Sequence, residues 1–267
     1  MSLGIAVIGA GGRMGRMLID RIQHETGAHL AAATDRSGGS AVGRDAGEVA
    51  GSGVSGVIIG DGITAAVRAA DAVIDFSLPE ATVAVTEACA EAGRPLVLGT
   101  TGLAEVEQAA VQQLAERVPV MQAANYSTGV TLLTALVEQA ARAIGAHSDV
   151  EIIEAHHRHK VDAPSGTALR LGGAVAEALG RDLEQCAVYG RHGHTGARER
   201  ATIGFETIRA GDIVGDHTVL FAGDGERIEL THKASSRATF ASGAVRAAVW
   251  VAAQPPGHYD MQDMLGV

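Results

Sequence analysis

The first half of the chain alternates short apolar runs with stretches of helical periodicity. Gly4–Ile8 is an uninterrupted apolar run, which is typical of a strand buried on both faces of a parallel sheet. Four later runs of this kind predict strands at His29–Thr34, Ala72–Phe76, Pro95–Leu98 and Val118–Ala123. The helices expected between them include one ended by Gly27, one at Pro79–Ala92 and one at Ala104–Arg117. This alternation predicts an α/β fold with a doubly wound parallel sheet.

The pattern changes after about Asn125, where strands and helices no longer alternate regularly. The second part is expected to hold a helix at Val130–Ile144, a strand at Asp149–Ala155 and a helix at Thr167–Leu179. Three successive strands are then predicted, at Thr202–Arg209, Ile213–Phe221 and Glu226–Lys233. Because Gly-Asp and Gly-Asp-Gly turns separate these strands, we expect them to pair antiparallel. A last helix at Ala241–Ala253 could return to either part, so the pattern predicts an α+β insertion after the α/β domain.

Composition narrows the class of protein. The chain has 267 residues, of which 46% are hydrophobic, so it can bury a substantial core in two domains. Its formal charge of −10 argues against general nucleic-acid binding, which requires a basic excess. We expect no secretory signal and no membrane span, since the best apolar stretch, Ala244–Ala253, is short and contains Arg246. Cys89 and Cys186 are too few for a disulfide framework, so a cytoplasmic location is expected.

A glycine-rich turn between the first strand and the first helix predicts a dinucleotide site. The residues from Gly9 to Gly15 read Gly-Ala-Gly-Gly-Arg-Met-Gly, a variant of the usual spacing. Glycines let the backbone approach a pyrophosphate, and the helix N-terminus offers N–H groups and the positive end of a dipole. Asp35, at the end of the second strand, could accept hydrogen bonds from the adenosine ribose, while Arg36 could face a 2′-phosphate. We therefore expect NADH or NADPH on a Rossmann-like domain, with a purely structural turn as the alternative.

Two further loops lie where predicted strands end, which is where ligands of open α/β sheets bind. Gly99–Gly102 follows the fourth strand, and Ala123–Ser127 follows the fifth. Their small residues would let a flat ring lie against the backbone, while Thr and Asn side chains can bond to a carboxamide. An ordinary loop is the alternative at each place.

The densest chemistry lies in the run from His156 to Lys160, His-His-Arg-His-Lys, in which every residue is an imidazole or a cation. Three interpretations are open: a solvated basic loop, a metal site through His156 and His159, and an anionic-substrate site with proton-transfer groups. We favour the third and expect no metal, because no cysteine cluster or His-Glu ligand helix accompanies the run. Only two of the 21 lysine and arginine residues are lysines, and Lys160 could give up a proton that a guanidinium would retain.

The same segment ends in Pro164-Ser165-Gly166-Thr167, ahead of an apolar helix. Ser165 is predicted near the N-cap, so the backbone N–H groups of Gly166 and Thr167 would be placed to bind a carboxylate. Together with the cations upstream, this arrangement gives two anion-binding poles. The sequence therefore indicates a small dicarboxylate as the substrate.

Nearly the whole chain resembles the 4-hydroxy-tetrahydrodipicolinate reductase family, formerly called dihydrodipicolinate reductases. The most specific match is Glu151–Ala168, which contains both the histidine run and the Pro-Ser-Gly-Thr segment. Further matching segments are Gly9–Gly15, Ile74–Ser77, Gly99–Gly102, Ala123–Tyr126, Arg209–Asp212 and Thr231–Arg237. The resemblance implies an NAD(P)H-dependent oxidoreductase that reduces a cyclic dicarboxylic imine to tetrahydrodipicolinate, in the diaminopimelate route of lysine biosynthesis.

The resemblance also implies roles for individual residues. His156 falls on the family's proton donor/acceptor, and Lys160 falls on its proton donor. The substrate-binding positions are His157, Lys160, Ser165, Gly166 and Thr167. The cofactor-binding positions are Gly9, Ala10, Gly11, Gly12, Arg13, Met14, Asp35, Arg36, Gly99, Thr100, Thr101, Ala123, Ala124, Asn125 and Tyr126. The ring of Tyr126 is expected to line the nicotinamide pocket.

The family's organisation implies a dinucleotide-binding domain at 1–127 plus 238–267, and an inserted substrate-binding and oligomerisation domain at 128–237. It also implies a homotetramer joined through the sheet of the inserted domain. Many relatives have Glu where this chain has Asp35, which leaves the dinucleotide preference open. A different reductase on the same scaffold and a non-catalytic dinucleotide sensor are the alternative functions.

Overall fold

The computed structural model describes residues 2–267, and the chain divides into two compact units. The first unit comprises Met1–Thr128 and Ala238–Gly266. The second comprises Gly129–Arg237 together with Val267. Each unit is built around its own β-sheet.

The first unit contains a six-stranded parallel sheet, which confirms the predicted α/β fold. Its strands are β1 (Leu3–Ile8), β2 (Ala28–Thr34), β3 (Ala72–Asp75), β4 (Leu96–Leu98), β5 (Pro119–Gln122) and β11 (Gly257–Tyr259). Their order across the sheet is β11-β5-β4-β3-β1-β2, and every neighbouring pair is parallel. The strand order therefore reverses beside β1, and such a switch point is where ligands bind in open α/β sheets.

Helices cover both faces of this sheet. They are α1 (Arg13–Gln23), α2 (Ala46–Ala50), α3 (Ile63–Arg68), α4 (Pro79–Ala92), α5 (Glu105–Ala115), α9 (Ala238–Val251) and α10 (Met261–Leu265). Alternate residues of β1 contribute to two separate apolar clusters: Ile5 and Val7 pack with α1 and α9, whereas Ala6 and Ile8 pack with α4 and α5. Because both faces are covered, the strands are continuous apolar runs rather than alternating ones.

Several short elements of the first unit escaped sequence analysis. α2, α3, α10 and β11 have three to six residues each, too few for a periodic pattern to stand out. The longer α4 begins at Pro79 as predicted, and Gly93 ends it in the left-handed conformation with φ of 64°. α1 ends at Gln23 rather than at Gly27, and Gly27 instead makes the turn into β2.

The second unit contains a five-stranded mixed sheet. Its strands are β6 (Asp149–His156), β7 (Ala187–Tyr189), β8 (Ile203–Arg209), β9 (Gly215–Ala222) and β10 (Arg227–Ala234), in the order β10-β9-β6-β8-β7. Its helices are α6 (Thr128–Ile144), a 3-10 turn at Gly145–His147, α7 (Gly166–Ala178) and α8 (Leu183–Cys186). Val150 and Ile152 of β6 pack with Leu171 and Val175 of α7 in the core of this unit.

The expectation that the last three predicted strands pair antiparallel is wrong for β8. β9 and β10 pair antiparallel, but β8 lies on the other side of β6 and is parallel to it. The end of β6 stands between β8 and β9, so the chain that joins them passes around it: Ala210 N–H donates to the His156 carbonyl at 2.9 Å, and Arg158 N–H donates to the Gly211 carbonyl at 3.2 Å. The Gly-Asp turn here joins two strands that are not adjacent in the sheet, and it places β8 and β9 on the two sides of His156.

Helix α9 approaches the backbone at Tyr126 so closely that Gly243 admits no side chain. A Cβ atom at Gly243 would collide with the Tyr126 carbonyl, whereas one at Gly173, within α7, would meet nothing within 4 Å. We expect Gly243→Ala to lower the free energy of unfolding by about 2 kcal/mol or more, the scale of overpacking. Gly173→Ala should raise it by up to about 1 kcal/mol through helix propensity.

Urea unfolding followed by circular dichroism measures both effects. Gly173→Ala is the matched control, because it makes the same change in a helix interior without the collision. A Gly243→Ala protein as stable as Gly173→Ala would contradict the close approach.

Candidate active site

A cavity of about 540 Å³ in the first unit opens at the glycine turn. Its lining residues include Gly9, Gly11, Gly12, Asp35, Arg36, Phe76 and Ser77. The N–H of Gly11 donates to the Asp35 carboxylate at 2.9 Å, and the N–H of Arg36 donates to the same group at 2.8 Å. The turn and the end of β2 are therefore held together in the arrangement that a dinucleotide requires.

At two positions the turn has room for backbone only. A Cβ atom at Gly11 would collide with the Asp35 carboxylate, and one at Gly15 would collide with the Gly9 carbonyl. Gly12 is the N-cap of α1 and makes no side-chain hydrogen bond to the first turn. A pyrophosphate fits such a cradle, because no side chain stands between the ligand and the helix N-terminus.

A second cavity of about 260 Å³ brings the two predicted nicotinamide loops together. It is lined by Thr100, Thr101, Gly102, Leu103, Gln108, Gln122, Ala123 and Ala124. Gly99 contacts the ring of Phe76 so closely that a Cβ atom there would collide with it. The Asn125 carboxamide oxygen accepts from the Ser127 N–H at 2.8 Å, which shapes the second loop.

The ring of Tyr126 does not lie where it was expected. Its side chain is 1% exposed, its hydroxyl donates to the Leu98 carbonyl at 2.9 Å, and its ring lies 5.4 Å from that of Phe76. Burial raises the pKa of the phenol. The ring therefore belongs to the core rather than lining a pocket, and a role in cofactor binding stays a prediction for the backbone of Tyr126.

The second unit gathers its polar groups at the end of β6. Glu154 and His156 are two residues apart on this strand, so both point to the face that packs on α7. Glu154 pairs with Thr207 of β8 on one side and with His217 of β9 on the other. Both Glu154 and His156 are buried, at 1% and 9% exposure.

The Glu154 carboxylate accepts hydrogen bonds from four residues. His156 Nδ1 lies 2.5 Å from it, the two terminal nitrogens of Arg209 lie 2.9 and 2.8 Å away, and the Ser165 N–H and Thr207 hydroxyl each lie at 3.2 Å. Burial alone would raise the pKa of Glu154, but the bonds from Arg209 and His156 outweigh it and lower the pKa. The group is therefore an ionised carboxylate with only donors around it.

Ser165 is the N-cap of α7, as predicted. Its hydroxyl oxygen accepts from the Ala168 N–H at 3.1 Å, so its proton is available to His217 Nε2 at 3.0 Å. Burial, followed by the nearby His156, lowers the pKa of His217 to about 4. His217 is thus neutral, and its hydrogen bond to Ser165 holds the cap of α7 in place.

The loop after β6 carries Lys160. Its ammonium lies 2.8 Å from the Asp162 carboxylate, and that contact lowers the pKa of Asp162. Arg209 also donates to the Asp162 carbonyl at 2.6 Å, so one guanidinium holds both this loop and Glu154. His157 Nε2 accepts from Arg237 at 2.9 Å. All five residues predicted to bind substrate lie within the second unit, on this loop and at the start of α7.

This arrangement is suited to binding an anion and exchanging a proton with it. It offers a lysine, an imidazole held by a carboxylate, and the N-terminus of α7, to which Gly166 and Thr167 belong. Among residues 2–267 no group of three His, Cys, Asp or Glu side chains could hold a metal ion. No helix in the same range is long and apolar enough to cross a bilayer.

No role was predicted from the sequence for Glu154, Arg209 or His217. Glu154 could have been recognised from its two-residue spacing to His156 on a strand. Arg209 and His217 could not, because their positions depend on β8 and β9 flanking β6, and the sequence predicted a different strand order.

The chain combines a parallel sheet and a glycine cradle in one unit with a His/Lys site in an α+β unit. This is the organisation of a two-domain reductase. Residues 3–126 match the family model "Dihydrodipicolinate reductase, N-terminus", and residues 129–265 match "Dihydrodipicolinate reductase, C-terminus". The chain belongs to the dihydrodipicolinate reductase family.

Full-length relatives agree with this assignment. The chain is 79% identical to 4-hydroxy-tetrahydrodipicolinate reductase of Halorhodospira halophila and 63% identical to that of Alkalilimnicola ehrlichii, over all of both chains in each case. A dipicolinate-bound dihydrodipicolinate reductase from Paenisporosarcina sp. TG-14 has a TM-score of 0.78 at 23% identity, covering 98% of this chain and 99% of its own, which shows the shared fold.

His217 makes stability depend on pH. With a folded pKa of about 4 against 6.5 in its usual state, the unfolded chain binds a proton in this interval that the folded chain does not. The contribution of neutral His217 to the free energy of unfolding is therefore complete above about pH 6.5 and is lost as pH falls toward 4. His217→Gln can keep the bond to Ser165 but does not titrate, so its melting temperature should fall less steeply over this range.

Scanning calorimetry between pH 4 and 7 measures the two slopes. His192→Gln, at an exposed histidine of the same unit, is the control and should keep the wild-type slope. Equal slopes for His217→Gln and wild type would exclude this origin of the acid sensitivity.

Proposed function

We propose that the protein reduces 4-hydroxy-tetrahydrodipicolinate, a cyclic dicarboxylic imine, to tetrahydrodipicolinate with NADH or NADPH, in the diaminopimelate route of lysine biosynthesis. The observation that carries this proposal is the histidine held by a buried carboxylate beside a lysine loop and a capped helix N-terminus. The names of the full-length relatives point to the same substrate.

The first unit would hold the nucleotide. The glycine cradle from Gly9 to Met14 would bind the pyrophosphate, Asp35 would bind the adenosine ribose, and Arg36 would face a 2′-phosphate. The loops Gly99–Thr101 and Ala123–Tyr126 would hold the nicotinamide end. When bound, the reduced nicotinamide supplies a hydride.

The second unit would hold the substrate by its two carboxylates. Lys160 and His157 would bind one of them, and the N–H groups at Gly166 and Thr167, kept in place by the Ser165 cap, would bind the other. Binding both carboxylates fixes the ring, so its reacting carbon has one orientation.

The reaction replaces the 4-hydroxyl by hydrogen. One hydride and one proton enter, and the hydroxyl leaves as water, so the atoms balance. The proton would come from Lys160 or His156, the two groups of the site that can donate one to a bound substrate. Residues of this chain thus bind the ring, hold its charge and deliver the proton.

The direct test mixes the protein with NADPH and freshly generated substrate and follows the nicotinamide absorbance. Consumption of NADPH that depends on the substrate supports the proposal. Consumption with other small imines or aldehydes but not with this one would indicate a different reductase, and binding of NADPH without turnover would indicate a sensor.

Removing either proposed proton donor should slow turnover. Lys160→Ala and His156→Ala should each lower kcat by roughly a hundredfold or more, the usual scale for a lost general acid, while the Kd for NADPH barely changes. His159→Ala is the control, since it removes an exposed imidazole of the same run. If His159→Ala slows turnover as much, the run acts through its general charge and the two assignments fail.

Arg36 is proposed to recognise the 2′-phosphate of NADPH. Arg36→Ala should raise the KM for NADPH more than the KM for NADH, because only NADPH carries that phosphate. Arg44→Ala removes an exposed arginine that does not line the cavity and should change neither constant. Equal effects of Arg36→Ala on both nucleotides would refute the assignment.

We further propose that the protein is a cytoplasmic homotetramer, as its family resemblance implies. The sheet face of the second unit that points away from α7 presents the partly exposed apolar residues Ile153, Val188 and Ile208. Such a patch is suited to burial between copies of the chain. Light scattering that gives the mass of a single chain would contradict this assembly.

A further inference from the structure

We propose that Glu154 is a positioning residue, whose carboxylate fixes the His156 proton on Nδ1 and leaves Nε2 for exchange with the substrate. This inference rests on the proposed function only for its consequence in turnover. The proton position itself follows from contacts within the second unit.

The donors around Glu154 determine which histidine nitrogen carries the proton. Arg209, the Ser165 N–H and the Thr207 hydroxyl all donate to the carboxylate, so it remains ionised and can only accept. His156 Nδ1 lies 2.5 Å from one of its oxygens, and a hydrogen bond at this distance requires the proton on Nδ1. In the neutral ring the lone pair is then on Nε2.

Nε2 of His156 has no competing partner in the described part of the chain. It makes no hydrogen bond with any of residues 2–267 that the structure describes. Gly215, where β9 begins, keeps its side of the ring clear: a Cβ atom there would lie 3.0 Å from Nε2. The ring is thus held at one nitrogen and open at the other, the arrangement that a proton-exchanging imidazole needs.

The charges that face His156 come from every neighbouring element. Glu154 lies on β6 and Arg209 on β8, while His157 and Lys160 follow on the loop. His217 on β9 meets the His156 ring edge-on, with centroids 5.1 Å apart, and is itself neutral because burial lowers its pKa. Glu154 is the only one of these groups with a hydrogen bond to the ring among the described residues, so it alone can set the tautomer.

The two hydrogen bonds from Arg209 explain why a carboxylate is required at position 154. Arg209 donates to both oxygens of Glu154, so the NH₂ group of a glutamine would face Arg209 in either orientation. In one orientation it would also face the Ser165 N–H, which is a donor, and in the other it would face His156, whose Nδ1 can accept from it. Facing His156, that NH₂ group would donate to Nδ1 and move the ring proton to Nε2. If Glu154 served only to crosslink β6, β8 and α7, it would not matter which nitrogen of His156 carries the proton.

The chain offers a matched control on the same strand. Glu151 is also paired with two arginines, Arg191 at 2.8 Å and Arg198 at 2.8 Å, but it lies on the opposite face of β6. Glu151→Gln therefore removes an equally ion-paired carboxylate from β6 without touching His156.

The first experiment records the imidazole ¹⁵N–¹H spectrum of the histidine-labelled full-length protein at alkaline pH, where a neutral ring carries one proton. The His156 signal is assigned by its loss in His156→Gln. We expect the proton on Nδ1 in wild type and in Glu151→Gln, and on Nε2 in Glu154→Gln. A wild-type proton on Nε2 would overturn the proposal, even if the variants fail to fold.

The second experiment measures turnover in the same proteins. Glu154→Gln should lower kcat roughly 10- to 100-fold while the KM for NADPH stays within about twofold, and Glu154→Asp should recover part of the loss. Glu151→Gln should keep the wild-type kcat. An equal loss in Glu151→Gln and Glu154→Gln would show a structural role only and refute the proposal. The spectrum needs no turnover, so failure of the proposed reaction would be seen separately.

Discussion

The second unit is organised around one buried charge, the Glu154 carboxylate. An ion at 1% exposure is costly to remove from water, and the structure offsets that cost with hydrogen bonds from Arg209, His156, Thr207 and Ser165. These donors come from two strands, β6 and β8, and from the N-cap of α7, so satisfying the carboxylate places all of them. The lysine loop is held as well, because Arg209 also binds the Asp162 carbonyl.

The first unit meets a different constraint, which is steric rather than electrostatic. Its cradle requires positions without side chains at Gly11 and Gly15, where a Cβ atom would collide with Asp35 or with the turn itself. A ligand that needs close backbone contact suits this unit, and a ligand that needs charges and a proton suits the other. The proposed division of the chain into a nucleotide part and a substrate part is consistent with what each unit can offer.

The sequence predicted those features that depend on local pattern. β1, α4 and the Ser165 cap lie where apolar runs, Pro79 with Gly93, and a Ser before an apolar helix place them. The prediction of strand pairing was wrong where strands that follow each other in the chain are not adjacent in the sheet. β6 lies between β8 and β9, so the sequence did not show that Arg209 and His217 lie beside His156. The core position of the Tyr126 ring could not be predicted, because the sequence does not show that its hydroxyl donates to the Leu98 carbonyl.

The proposed reaction replaces the 4-hydroxyl of the ring by hydrogen, with a hydride from NADPH and a proton entering and water leaving, in a site ordered by Glu154. The most direct measurement uses NADPH with both C4 hydrogens replaced by deuterium, together with freshly generated 4-hydroxy-tetrahydrodipicolinate in ordinary water. Mass spectrometry should find one deuterium in each tetrahydrodipicolinate formed, with one NADP⁺ per product. NADPH oxidation without label in that product, or no product at all, would contradict the account.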